Sequence, residues 1–157
     1  MNKRFVFPTM VVLLLVILAT TAFPALAARE RRIKGSYWAA ETNEAVFPTL
    51  YVDGNGSGNA TQLGRYTISF QAEVNIPTLS GPVSATLTAA NGDQLFAEGW
   101  GQATPTGKPN RVSIVEEYTI TGGTGRFADA TGNFTVKRLL DQTSGISTGT
   151  LKGYLVR

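Results

Sequence analysis

From Tyr66 to Ile76 the chain alternates without a break. Tyr66, Ile68, Phe70, Ala72, Val74 and Ile76 are apolar or aromatic, and Thr67, Ser69, Gln71, Glu73 and Asn75 between them are polar. A helix, with its period of about 3.6 residues, would scatter these two sets around its surface. A strand separates them completely into one dry face and one wet face. Pro77 ends the run because it has no N–H to continue a ladder. A strand with a dry face needs partners, and the remaining sequence supplies them. Arg111–Thr121 places Val112, Ile114, Tyr118 and Ile120 on one face. Val83–Ala90 and Gln94–Gln102 flank Asn91-Gly92-Asp93, which suits the positive φ angles of a tight hairpin. Phe134–Leu140 and Ile146–Val156 flank a second turn, Asp141–Gly145. Ile33–Ala39 reads as the first strand, and Phe47–Val52 and Thr61–Arg65 as weaker ones. Seven or eight strands without room for a long helix predict an all-β fold. The expected form is a single antiparallel β-barrel of about eight strands, with a two-sheet β-sandwich as the alternative.

The first 27 residues have a different character. Lys3 and Arg4 precede an uncharged apolar core, Val11–Ala19, and Pro24-Ala25-Leu26-Ala27 closes the segment with small residues. This is the layout of a secretory signal peptide cleaved after Ala27. The alternative is an uncleaved anchor: Phe5–Phe23 could just span a bilayer, and Arg29, Arg31, Arg32 and Lys34 beyond it resist translocation. The expected organisation is a signal peptide over 1–27, a short solvated basic arm over 28–32 and a barrel domain over 33–157. The expected localisation is secreted or periplasmic, with no stable membrane span after cleavage. Beyond Ala27 there are 12 Lys and Arg against 11 Asp and Glu, a net charge of +1. Four of those bases lie in Arg29–Lys34, so no basic face for nucleic acid is visible.

The chain of 157 residues has neither Cys nor His. Disulfides, thiol nucleophiles, His-based triads and the usual structural zinc sites are excluded. Asp53-Gly54-Asn55-Gly56-Ser57-Gly58-Asn59 partly imitates a calcium loop, but its twelfth position is Gly64 where a bidentate Glu belongs. It is read as a flexible Gly/Asn loop. No metal and no cofactor are expected. Asn55, Asn59 and Asn133 begin glycosylation triplets, which matter only in a eukaryotic secretory route.

Thr121-Gly122-Gly123-Thr124-Gly125-Arg126-Phe127-Ala128-Asp129-Ala130-Thr131-Gly132 is the most distinctive stretch. It lacks the Lys-Ser/Thr ending of a phosphate loop, and no long helix follows it. It reads as a structural corner. Gly122, Gly123 and Gly125 make a turn with at least one positive φ, Phe127 and Ala130 form the buried side of one short helical turn that follows Arg126, and Gly132 releases the chain into the next strand. This Gly-Gly-Thr-Gly-Arg-Phe segment resembles the corner of allene oxide cyclase-like and dirigent-like barrels. Gly58–Arg65, leading into the long alternating strand, is similar to small secreted bacterial proteins related to that group. The resemblance implies a calycin-type barrel of eight antiparallel strands over roughly residues 33–157. Plant members of the group are cyclases of fatty-acid epoxides or guides of phenoxy-radical coupling, and none of their active residues can be placed here one by one.

Two carboxylates fall on faces that otherwise look apolar. Glu116 shares a face with Val112, Ile114, Tyr118 and Ile120, and Glu98 lies between Phe96 and Trp100. If they point inward with no cation near, burial raises their pKa and suits them to proton transfer. The competing reading is a bulge or register slip that turns them outward, or an internal hydrogen bond that satisfies them. The leading function is a small-molecule-binding barrel for a mainly apolar ligand, with Tyr66, Phe70, Trp100 and Tyr118 lining the mouth. One alternative is an isomerase or cyclase of the allene oxide cyclase type, with Glu116 or Glu98 as acid–base group. Another is a packed barrel acting as a structural or surface-interaction protein. The non-enzymatic reading leads, and a homo-oligomer is compatible with each.

Overall fold

The computed structural model describes residues 29–157; the expected signal peptide over 1–27 lies outside the described residues. Eight strands follow one another around a closed barrel, each paired antiparallel with its sequence neighbours and the last with the first. They are β1 (Glu30–Val46), β2 (Thr49–Ala60), β3 (Gly64–Asn75), β4 (Ser80–Ala89), β5 (Gln94–Pro105), β6 (Arg111–Gly123), β7 (Thr131–Asp141) and β8 (Ile146–Val156). A single 3-10 turn, Gly125–Phe127, interrupts this order. Closure leaves no unpaired edge, which is how an all-β chain of this size protects its backbone. The barrel, rather than the sandwich, is therefore the fold.

The period-two pattern sets the register. In β3, Tyr66, Ile68, Phe70 and Ala72 are buried, Val74 is half-buried, and the odd residues face solvent. Inward-facing Ile33, Leu87, Leu95, Leu151 and Leu155 join this layer to make the core.

Three segments differ from the sequence reading. The expected weak strand over Thr61–Arg65 is mostly the turn that joins β2 to β3. Residues 30–32 are not a solvated arm: Glu30, Arg31 and Arg32 pair with Val156, Leu155 and Tyr154 and close the barrel seam. The Asp53–Asn59 stretch is neither a loop nor a calcium-like cradle but the middle of β2. Asp53, Asn55, Ser57 and Asn59 alternate along one face of an extended strand, so their oxygens diverge instead of converging on an ion. Gly54, Gly56 and Gly58 are its inward positions, and the reason is space. A Cβ on Gly54 would overlap the Phe70 ring, and one on Gly58 would meet Tyr66 Oη at 2.8 Å. The glycines thin the wall so that neighbouring rings can fill the lumen.

The Gly-rich corner lies at the β6–β7 end. Gly122 and Gly125 have φ of 136° and 54°, where an L side chain is strained. Asp93, from the β4–β5 turn, accepts a hydrogen bond from the Arg126 backbone N–H at 3.4 Å, and Thr124 Oγ1 accepts one from the Gln94 N–H at 2.9 Å. Phe127, completely buried beneath the Arg126 guanidinium, plugs this end of the barrel.

Candidate functional site

Side-chain size decides which end of the lumen is filled. Towards the corner the inward positions hold Phe127, Ile33, Leu87, Leu95 and Leu155, all fully buried. Towards the other end β3, β4 and β5 offer Ala72, Gly81, Val83, Gly101 and Ala103. These small residues cannot reach across the barrel. They leave a cavity of about 340 Å³ with apolar walls that include Val52, Val74, Val112, Ile114 and Leu140. Lys108, Asn110 and Arg111, from the β5–β6 turn and the start of β6, stand at its rim.

The cavity lining also holds a charged cluster of Glu41, Glu116 and Arg138. Alternation along β6 sends Glu116 inward to 2% exposure, and alternation along β7, through Phe134 and Val136, does the same for Arg138. Arg138 Nε and Nη2 both donate to Glu116 Oε1, at 3.1 and 2.9 Å. Its Nη1 donates to Glu41 Oε1 on β1. The guanidinium also lies 5.0 Å over the Phe70 ring. Tyr118 Oη donates to Glu116 Oε2 at 3.4 Å, and the Tyr118 ring stacks on Phe134 at 4.9 Å. Room for the cluster comes again from glycine: Gly101 faces Glu116, and Gly149 sits against Arg138 and Tyr37.

The cluster reshapes the local acid–base balance. Burial alone lowers the pKa of Arg138, but the Glu116 and Glu41 carboxylates outweigh that and hold it above its ordinary range. Tyr37 and Tyr118 are pushed well above the usual phenol value, first by burial and then by the negative charge of Glu116. Tyr66 is pushed up by burial.

Of the residues singled out from the sequence, Glu116 reaches the cavity. The premise attached to it, a buried carboxylate with no cation near, is overturned by Arg138. Tyr66, Phe70 and Tyr118 point inward but are packed in the filled part of the lumen rather than at the mouth. Trp100 is 58% exposed on the barrel exterior, and Glu98 is exposed on the same outer face. They do share a face with Phe96, but it is the outward one. Inward positions of β5 are Leu95, Ala97, Gly99, Gly101 and Ala103, small wherever Tyr118 and Glu116 of β6 lie opposite. The larger side chains of β5 therefore face outward rather than into the lumen. A β-bulge between Phe96 and Ala97 shifts the β5–β6 pairing close by.

Arg138 and Glu41 were missed. The signal for Arg138 was present, since it lies on the apolar face of Phe134–Leu140 as Glu116 does on its own strand. Glu41 lies two residues past the expected end of the first strand, in a Glu-Thr-Asn-Glu run that reads as loop.

No protein-family model matches the chain. No curated protein matches it either. Among solved structures it is similar to a pterocarpan synthase dirigent protein, with 15% identity and a TM-score of 0.57 over 89% of this chain and 95% of that one. Identity this low speaks for architecture alone. The chain thus folds as a dirigent-like, eight-stranded barrel with one plugged end and one hollow end.

Proposed function

We propose that this is an exported barrel that binds a small, mainly apolar molecule in the hollow end. The observation that carries the reading is the cavity itself: about 340 Å³, walled by aliphatic side chains and carrying a few converging polar groups at Glu41, Glu116 and Arg138. A fully packed scaffold would have no need of small residues at five inward positions of β3–β5. The head, core and Ala-Leu-Ala box of residues 1–27 support export.

A cyclase or isomerase is the second reading. It is favoured by Glu116, an ionisable group in the cavity lining with a phenol hydrogen-bonded to it. Either way Glu116 contacts the occupant. Native mass spectrometry of the purified protein, before and after mild denaturation, reads a retained small molecule directly. Glu116→Gln keeps the shape of the side chain and removes its charge. It is expected to fold and to lose retention of the molecule by roughly tenfold, whereas Glu117→Gln, on the outer face, leaves retention unchanged. A Glu116→Gln protein that retains the molecule like the unmodified one rules out this role for Glu116.

A further inference from the structure

The charged cluster sets two carboxylates against one guanidinium and leaves a carboxylate oxygen free for an occupant. Arg138 directs Nε and Nη2 to Glu116 Oε1, and Nη1 to Glu41 Oε1. Tyr118 Oη is directed at Glu116 Oε2. No side-chain hydrogen bond among the described residues ends on Glu41 Oε2, although the Glu41 side chain is only 3% exposed and lines the cavity. With both carboxylates ionised, the cluster holds two negative charges against one positive. An excess charge in a low-dielectric lumen is unfavourable, and an occupant that brings a cation there relieves it.

From this we infer that the cavity selects a small apolar molecule carrying a protonated amine. The ammonium donates to Glu41 Oε2 beside the cluster, and the hydrocarbon body lies along Val52, Val74, Val112, Ile114 and Leu140. The inference rests on the cavity reading above and sharpens it to one head group. An ammonium has three donors and no acceptor, the complement of such a site. A carboxylate head is the poorest match, since at this depth it would confront two carboxylates. Its opposite charges lie at the rim, at Lys108 and at Arg111, which is already paired with Asp141 at 3.1 Å.

The test compares three probes with one hydrocarbon body, octylamine, octanol and octanoate, by calorimetric titration into the purified protein at neutral pH. Octylamine is expected to bind roughly tenfold more tightly than octanol, and octanoate most weakly. Glu41→Gln removes the excess charge and is expected to bring octylamine down to the affinity of octanol. The probe series on the unmodified protein decides the matter even if that variant does not fold. Octanol binding as tightly as octylamine overturns the amine assignment while the cavity reading stands. Octanoate binding most tightly, or Glu41→Gln keeping the amine preference, overturns it equally. If none of the three binds, the cavity reading itself fails and the assignment with it.

Discussion

Arg138 is the residue on which most of the interior depends. It bridges carboxylates on β1 and β6 and covers the Phe70 ring of β3 from its own place on β7. Removing one partner of a buried ion pair leaves the other charges uncompensated, which typically costs about 3–5 kcal/mol. Arg138→Ala should therefore lower unfolding free energy by about that amount in urea titration, and Arg138→Lys should recover part of it because a point charge cannot fork between two carboxylates. The buried phenols give a prediction of their own. Tyr37 and Tyr118 have folded-state pKa values above the ordinary 10.0, from burial and then from Glu116. Their contribution to stability is complete below pH 10 and declines above it, because only the unfolded chain releases the protons. Each should remove about 1.4 kcal/mol of stability per pH unit once the unfolded phenol ionises. Ultraviolet titration should show the share of phenolate absorbance due to Tyr37 and Tyr118 appearing only with unfolding.

Among the elements, β2 shows how a strand can be built from residues poor in strand propensity. Glycine and asparagine are disfavoured in strands when judged locally, yet Gly54, Gly56 and Gly58 are where the wall must be thin. Gly54→Val should force the Phe70 ring aside and cost about 1–3 kcal/mol in a thermal or urea melt. Combined with Phe70→Leu, the loss should be clearly less than the sum of the two single losses, because both act on one space. Strands β3, β6 and β7 were legible because large apolar side chains mark their inward faces. β5 was legible as a strand but its sides were exchanged: beyond Leu95 its inward residues are small, and its outward ones, Phe96, Glu98 and Trp100, are large or charged. Local hydrophobicity carries no record of a ring or carboxylate arriving from the next strand.

At the scale of the molecule, the seam between β1 and β8 turns a curved sheet into a barrel. Its outermost rungs are Glu30, Arg31 and Arg32 with Val156, Leu155 and Tyr154, at the plugged end. A chain starting at Ile33 should keep the hollow end and lose protection at the plugged one. Hydrogen exchange at the amides of Tyr154–Val156 is expected to quicken by roughly tenfold or more, with Ile146–Thr148 little changed. The sequence by itself determined the strand class, the antiparallel order, most strand faces and the Gly-rich corner, because alternation and turn chemistry are local and survive without knowledge of any partner. It also marked Glu116 as unusual. Only the tertiary structure decided which groups Glu116 meets. Closing the barrel brings Arg138 from 22 residues away and Glu41 from the first strand into one cluster. The same closure decides which end is hollow. That depends on whether facing side chains span the lumen, a property of eight strands together and of no single one.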